Sequence, residues 1–185
     1  HGKTYSLFAQ IDWKILPELV LSGGARWTEE NKRLRTSNLF VNQSQMLSPT
    51  LPARVIMLPE GRVLRPRRSD DNVSPEVSLT WKPQEHLMAY VAYRSGYKSG
   101  GLSSTSVLGA AANETNLQFE PEKAKGGEVG MKGEFLDRRL MVAATVYRYK
   151  FSNLQQTSFQ PGPPASFLLS NAGGARTTGF EVASQ

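Results

Sequence analysis

The connections between the strand-like segments of this chain alternate strictly in length. Three of them are very short: Lys14 to Glu18, Lys82 to His86, and Leu136 to Arg138. The other three are long and polar, at roughly Asn31 to Asp71, Lys98 to Pro121, and Ser152 to Ser170. Because successive strands of a meander reverse direction, this alternation puts every short turn on one rim of a sheet and every long loop on the other. The pattern predicts an up-and-down antiparallel sheet.

The segments themselves alternate apolar and polar residues with the period of two that is typical of strands. In the first segment, one face carries Tyr5, Leu7, Ala9, Ile11 and Trp13. Its other face is polar except for Phe8. Similar segments follow at about 19–28, 73–81 and 87–94, and less regular ones at 122–135, 140–149 and 175–185. Runs of nine to eleven such residues cross a bilayer when tilted. We therefore predict an all-β chain of about seven strands that forms part of a transmembrane β-barrel, with short turns on one side and long loops on the other.

Aromatic residues lie near both ends of these segments. Trp13 and Trp81 are beside short turns. Near the long loops are Tyr5, Trp27, Tyr93, Tyr97, Tyr147 and Tyr149. Amphipathic rings at the two membrane interfaces form aromatic girdles in such barrels. The alternative is that they are ordinary strand-end aromatics, since aromatic residues favour strands.

Composition agrees with strands and excludes several other classes of protein. No run approaches eighteen apolar residues, so no transmembrane helix is predicted, and alternating strands explain the mean hydropathy of −0.40. The chain has no cysteine, which excludes a disulfide scaffold and a thiolate metal site. Since His1-Gly2-Lys3 leads directly into a strand without a signal peptide, we expect a mature form or a sequence that begins within a protein.

The residues needed for catalysis are not present in a recognisable pattern. The two histidines, His1 and His86, have no paired spacing that would hold a metal. A glycine-rich stretch at 126–133 is not followed by a helical segment, so it fails the context of a phosphate-binding loop. Glycines in a strand more often let the strand bend or let a neighbouring chain approach closely. We predict no catalytic residue, no metal and no cofactor, and hence no enzyme.

The net charge of +6 raises nucleic acid or an anionic surface as a partner. The charges are spread out and no stacking platform accompanies them, so nucleic acid is not expected. One dense group lies in the longest connection: Arg62, Arg65, Arg67 and Arg68, followed at once by Asp70 and Asp71. It either contacts an anionic ligand or lipid phosphates, or is a solvated loop.

The same connection contains a pattern for a small hairpin. Ala53 to Leu58 and Arg62 to Arg65 are strand-like runs that flank Pro59-Glu60-Gly61. A proline and a glycine between two such runs indicate a turn.

Four stretches resemble the TonB-dependent receptor family of Gram-negative outer membranes. Residues 93–101 read Tyr-Arg-Ser-Gly-Tyr-Lys-Ser-Gly-Gly, which is similar to a strand-to-loop segment of the family. The other three are Glu128–Leu140, with its Glu-x-Gly-x-Lys pattern, Tyr147–Gln155, and Asn171–Val182, with its Asn-Ala-Gly start. Gly23–Glu29 is a weaker fifth match. The stretches occur in family order and span most of the chain.

The resemblance implies an outer-membrane transporter. In the family, a ligand such as a ferric siderophore or cobalamin binds the outward loops, and the TonB complex drives its passage by acting on a plug domain. The implied partners are the TonB complex through that plug, outer-membrane lipid and a small extracellular ligand. Neither a plug with its TonB box nor a barrel-closing strand is recognisable here. Family barrels have about 22 strands, so we expect residues 1–185 to be a partial barrel.

Candidate ligand-binding residues are the charged residues of the inward face and of the loops. They are Arg94, Lys98, Glu128, Lys132, Glu181, Arg65 and Arg67. These side chains either bind the ligand or contact only the plug and water.

Two other functions remain open from alternation alone. A soluble antiparallel β binding module, such as a carbohydrate-binding sandwich, would bury its apolar face against a second sheet. A passive porin-type barrel would lack the four family-like stretches.

Overall fold

Seven long strands form one antiparallel sheet in the computed structural model, which describes residues 1–38, 46–48, 51–52, 58–59, 61–104, 108–161 and 166–185. They are β1 (Gly2–Leu16), β2 (Leu19–Arg33), β5 (Arg67–Gln84), β6 (Leu87–Lys98), β9 (Glu122–Phe135), β10 (Leu140–Gln160) and β11 (Ser166–Ser184). Two short pairs accompany the sheet: β3 (Met46–Ser48) with β4 (Leu51–Pro52), and β7 (Gly101–Leu102) with β8 (Gln118–Phe119). The long strands lie in chain order, and each pairs with the next. The predicted seven-stranded meander is confirmed.

The connections lie as their lengths predicted. Turns at residues 17–18, 85–86 and 136–139 join β1 to β2, β5 to β6, and β9 to β10. Since the strands are antiparallel throughout, these turns share one rim, which we call the turn rim, and the longer connections share the loop rim. No helix in the described residues is long and apolar enough to cross a membrane.

The third long connection is much shorter than the sequence predicted. Instead of a loop over 152–170, β10 continues to Gln160 and β11 begins at Ser166. The two strands stay paired up to Gln160 and Ser166, and the rings of Phe159 and Phe167 are 5.4 Å apart across them. This part of the hairpin lies far from the turn rim and against other loop-rim segments: the Leu169 amide donates to Ser103 Oγ, and Gln155 donates to the carbonyl oxygens of Ser99 and Glu120. Backbone pairing and these contacts form the strands without strict apolar alternation, which explains the wrong prediction.

The loop rim has a small apolar core of its own. Leu58, Leu64, Leu108 and Leu117 are buried together there. The amide of Asn38 joins two of the connecting segments, because its Nδ2 donates to the carbonyl oxygens of Leu58 and Leu108, each at 3.0 Å. The long connections therefore pack on one another over the end of the sheet.

The hairpin predicted over 53–65 lies partly outside the described residues. Its first run and Glu60 are not described, apart from Leu58. In its second run, Leu64 forms an antiparallel bridge with Thr36.

On one face of the sheet, tyrosine rings occupy the space beside glycines of the neighbouring strand. The clearest case is Tyr90, whose ring would be only 2.4 Å from a Cβ added at Gly130. A side chain at Gly130 would thus have to displace the ring. Gly23, on the opposite face, has open space where its Cβ would be. At Gly130 the missing side chain thus lets a ring of the neighbouring strand approach the backbone closely, as expected for a glycine in a strand.

These two glycines allow a matched prediction. Gly130→Val should destabilise the folded sheet by about 1–3 kcal/mol, the usual cost of overpacking. Gly23→Val should be neutral or stabilising, since valine favours strands and meets no neighbour there. Urea unfolding of the two variants measures both. Equal destabilisation at the two positions would contradict the packing of Tyr90 over Gly130.

Candidate functional site

Strand register brings seven apolar residues into one continuous row across the sheet. The row is Trp13, Leu21, Leu79, Val91, Val129, Val146 and Phe180, each opposite the next on the neighbouring strand. Rows on either side on the same face carry further exposed apolar residues such as Val77, Met131 and Val182. We call this band the apolar belt and its side of the sheet the belt face. It is a large apolar surface that the described residues leave uncovered.

The edge of the belt is inclined to the rows of paired residues. Ile11 and Thr178 belong to the same row, through five strands between them. On β1 the belt extends four residues above Ile11, toward the loop rim, to Leu7, whereas on β11 it ends two residues below Thr178, at Phe180. From β1 to β11 the edge of the belt therefore shifts by about six residues, or roughly 20 Å, over six strand spacings of about 4.8 Å. The edge is thus inclined by about 35° to the rows of paired residues. Barrel strands in membranes are tilted by about 35–45°, so a level lipid boundary would cross this sheet at the observed slope.

Aromatic residues flank the belt on both rims. Trp13 and Trp81 lie on the belt face near the turn rim, and Tyr5, Trp27 and Tyr93 lie on it near the loop rim; all five are exposed. Tyr147 and Tyr149 do not belong to this girdle. Their positions in the register put them on the opposite face, so that part of the interpretation was wrong.

The opposite face, here the polar face, carries a charged cluster near its centre. The Arg94 guanidinium donates a hydrogen bond to the Glu128 carboxylate. Its Nε also lies 4.0 Å from a carboxylate oxygen of Glu76, and the Tyr149 hydroxyl donates to Glu128 at 3.1 Å. Two carboxylates thus surround one guanidinium, leaving a net negative charge.

A cleft of about 190 Å³ adjoins this cluster. It is lined by the polar side chains of Gln10, Ser22, Glu76, Ser78 and Arg94, with the backbone of Gly24 between them. Such a surface can hold water or donate and accept hydrogen bonds to a polar group of a ligand or of another protein segment. It has no nucleophile with a base, and the described residues contain no group of side chains suited to a metal ion.

Of the seven predicted candidates, the structure brings only Arg94 and Glu128 together. Lys132 and Glu181 also lie on the polar face, but in rows nearer the turn rim. Lys98 is exposed at the end of β6, opposite Glu122. Arg65 and Arg67 are exposed at the loop rim, where Arg67 is opposite Arg33.

The arginine-rich part of the longest connection does not form one anion site. Arg68 turns inward and donates two hydrogen bonds of 2.7 Å to Asp70, and two more, of 2.9 and 3.1 Å, to Glu120. The side chains of Arg68 and Asp70 are only 10% and 7% exposed. Arg62, like Arg65 and Arg67, is exposed. The nearby aspartates indicated this ion pair in the sequence, but nothing there pointed to Glu120.

Charge pairing at the loop rim shifts two pKa values. The hydrogen bond from Arg68 holds the pKa of Glu120 below its ordinary value. The hydrogen bonds to Asp70 and then to Glu120 raise the pKa of Arg68 above its ordinary value. Arg68 therefore stays charged, and Glu120 stays ionised into mildly acidic solution.

The family of the chain follows from comparison with known proteins. A family model described as "TonB dependent receptor-like, beta-barrel" matches residues 1–185. The chain belongs to this family. The resemblance found in the sequence is thereby confirmed, and neither the soluble sandwich nor the passive porin is supported.

Two curated TonB-dependent receptors are similar to part of this receptor chain. A probable TonB-dependent siderophore receptor of Acinetobacter baumannii, PiuA, is 28% identical over 63% of the chain. A probable TonB-dependent receptor of Bordetella pertussis, BfrD, is 29% identical over 64% of it. Each alignment covers 15% of the relative, so the chain matches only a small part of these proteins.

Solved receptor structures share the fold. The ferric yersiniabactin uptake receptor FyuA of Yersinia pestis matches 99% of this chain with 24% of its own, at a TM-score of 0.71 and 20% identity. The closed form of the ferric-catecholate import receptor Fiu of E. coli K12 matches 99% with 25% of its own, at 0.66 and 18%. Membership of a receptor family confirms the prediction that the chain is not from an enzyme.

Proposed function

We propose that residues 1–185 form an interior part of the barrel wall of an outer-membrane TonB-dependent receptor, whose plug and closing strands lie elsewhere in the protein. In the described sheet, β1 and β11 are edges that do not pair with each other. Unpaired backbone groups in lipid cost several kcal/mol each, so further strands must satisfy them. The small share of each relative that the chain matches supports the same proposal.

This proposal rests on two observations: the inclined belt on one face of the sheet and the charged cluster on the other. The belt faces lipid of a Gram-negative outer membrane, and the polar face borders the lumen and its plug. The structured loop rim then points outward, as long loops do in such barrels. The plug is the partner through which the TonB complex acts.

The proposed activity is energised uptake of a small extracellular ligand, of the ferric siderophore class. PiuA is named a siderophore receptor, and FyuA and Fiu are named for the uptake of ferric chelates. Cobalamin is the second candidate ligand, and the same experiment tests it. We propose Arg94 and Glu128 as lumen contacts to plug or ligand, while Lys98, Lys132, Glu181, Arg65 and Arg67 serve as solvated charges.

Uptake of radiolabelled iron tests this function. Cells that lack the receptor gene are complemented with the complete receptor and given a panel of ⁵⁵Fe-siderophores, with labelled cobalamin as a second arm. We expect uptake of at least one ferric siderophore, and its loss when tonB is deleted. Uptake that persists without TonB would contradict energised transport, and uptake of cobalamin alone would replace the ligand class.

The Arg94→Met variant tests the lumen cluster in the same assay. Loss of a charge-assisted hydrogen bond worth about 1 kcal/mol or more should lower uptake roughly fivefold or more at equal receptor abundance. Lys132→Met, on the same face without a recorded ion pair among the described residues, is the control and should change uptake little. Equal effects of Arg94→Met and Lys132→Met on uptake would show that Arg94 is not a lumen contact.

A further inference from the structure

Four cations cluster on the belt face, just beyond the apolar belt toward the loop rim. Lys125, Lys150 and Arg176 form one row across β9, β10 and β11. Arg148 belongs to the row below, between this row and the belt. All four side chains are exposed, and together with Tyr93 they line a cleft of about 450 Å³. We call them the basic patch.

The acidic residues of these three strands are confined to one face. The acidic residues of β9, β10 and β11 are Glu122, Glu128, Glu134 and Glu181. The register puts all four on the polar face. No cation of the basic patch has an ion pair or a side-chain hydrogen bond within the described residues. The patch is therefore not neutralised by its own strands.

The cationic side chains of the basic patch repel one another. Lys150 is directly opposite Lys125 on one side and Arg176 on the other. Like charges directly opposite one another destabilise a sheet. A bound anion that reaches several of these cations would convert the repulsion into attraction, and the hydroxyl groups of Ser95 and Thr178, in the same two rows, add hydrogen-bond donors.

The position of the patch indicates where that anion comes from. Arg148 is two residues beyond Val146, so it follows the last apolar row of β10 at a distance of about 7 Å. Tyr93, a ring of the loop-rim girdle, shares its row. In a membrane this is headgroup depth, and in the proposed orientation it is the outer leaflet.

From these observations we propose that the basic patch binds the phosphate groups of an outer-leaflet lipid headgroup on the outside of the barrel. The inference rests on the proposed function, since it requires the belt to face lipid and the loop rim to face outward. A headgroup with several phosphates fits best. The four cations are spread over three strands, so separate phosphates can bind separate cations.

Binding of bis-phosphorylated lipid A to the complete receptor in detergent micelles tests the proposal. The probes are this lipid, its dephosphorylated form and inorganic phosphate, with bound molecules measured by native mass spectrometry and by thermophoresis. The test variant is Lys125→Gln/Lys150→Gln/Arg176→Gln. The control is Lys14→Gln/Lys82→Gln/Arg139→Gln, which removes three exposed cations near the turn rim. Heat-modifiable migration in gels shows that each variant contains a folded barrel.

We expect the test variant to bind the phosphorylated lipid roughly 100-fold more weakly, about fivefold for each cation removed, while the control binds like the unaltered receptor. Equal affinity of the two variants, equal binding of the dephosphorylated lipid, or binding of inorganic phosphate as tight as that of the lipid would each overturn the proposal. A receptor that is absent from the outer membrane would instead contradict the proposed function, so cell fractionation separates the two failures.

Discussion

Replacing Arg68 by Met is expected to open the loop rim, at a cost of about 3–5 kcal/mol, because it leaves a buried carboxylate without its partner. Asp70 is almost fully buried, and the Arg68 guanidinium donates two hydrogen bonds to it. The same guanidinium ties Glu120, from another connection, to β5. Hydrogen–deuterium exchange on the complete receptor should show faster exchange in segments 66–72 and 117–122 than in the turn-rim halves of the strands.

Two variants separate this ion pair from a general effect of lost charge. Lys98→Met removes an exposed cation at the same rim and should leave exchange unchanged. Arg68→Met/Asp70→Asn removes both charges and should recover part of the protection, since the remaining amide costs less to bury than a carboxylate. Unchanged exchange in Arg68→Met would show that the pair does not hold the loops together.

Acid should weaken the link to Glu120 in a defined direction. The hydrogen bond from Arg68 lowers the pKa of Glu120 in the folded protein. The ionised carboxylate therefore contributes its full stabilisation of the loop rim above the ordinary glutamate pKa. This stabilisation is lost as pH falls through the lower pKa of the folded protein. Exchange in segment 117–122 should therefore rise only in acid, and Arg68→Met should lack this rise.

Val91→Arg is expected to destabilise the complete receptor by about 2–4 kcal/mol in a bilayer, the cost of a cation near the midplane on the lipid face of a barrel. Val91 is in the row of seven apolar residues that crosses the belt, and its side chain is exposed. Unfolding by denaturant in vesicles, followed by tryptophan fluorescence, gives the free energy of unfolding.

Ser78→Arg is the matched control for this substitution. Ser78 lies on the polar face beside the cleft that Arg94 also lines, so an added guanidinium there can stay hydrated. We expect a cost below about 1 kcal/mol for it. Similar costs for Val91→Arg and Ser78→Arg would mean that the belt does not face lipid and would favour a sheet covered on both sides.

The faces of the strands could be predicted from the sequence because alternation is a local property. A residue two positions along a strand returns to the same face whatever the rest of the chain does. For this reason Leu7, Ile11 and Trp13 were assigned to one face of the first segment without knowledge of their neighbours. Short turns likewise fix which strands are paired, since a few residues leave no other partner within reach.

The extent of the strands toward the loop rim could not be predicted in this way. Gln155 to Gln160 and Ser166 to Ser170 form strands through paired backbone groups, and Gln155 and Leu169 also donate hydrogen bonds to neighbouring loop segments. No apolar alternation is required there, so the sequence of 152–170 was interpreted as a loop. The same limit applies to the loop rim, where Asn38 and Glu120 find partners about 20 and 50 residues away in the chain.

By itself, the sequence determined the class of the fold, the number of long strands, the rim on which each connection lies and the face of most side chains. Tertiary structure alone decided which residues share a row. Register across six strand pairs brought Arg94 to Glu128, separated both from Lys132 and Glu181, inclined the belt, and aligned Lys125 with Lys150 and Arg176. The physical reason is that the period-two pattern of a strand is unchanged by a slip of two residues, whereas every cross-strand contact depends on that slip.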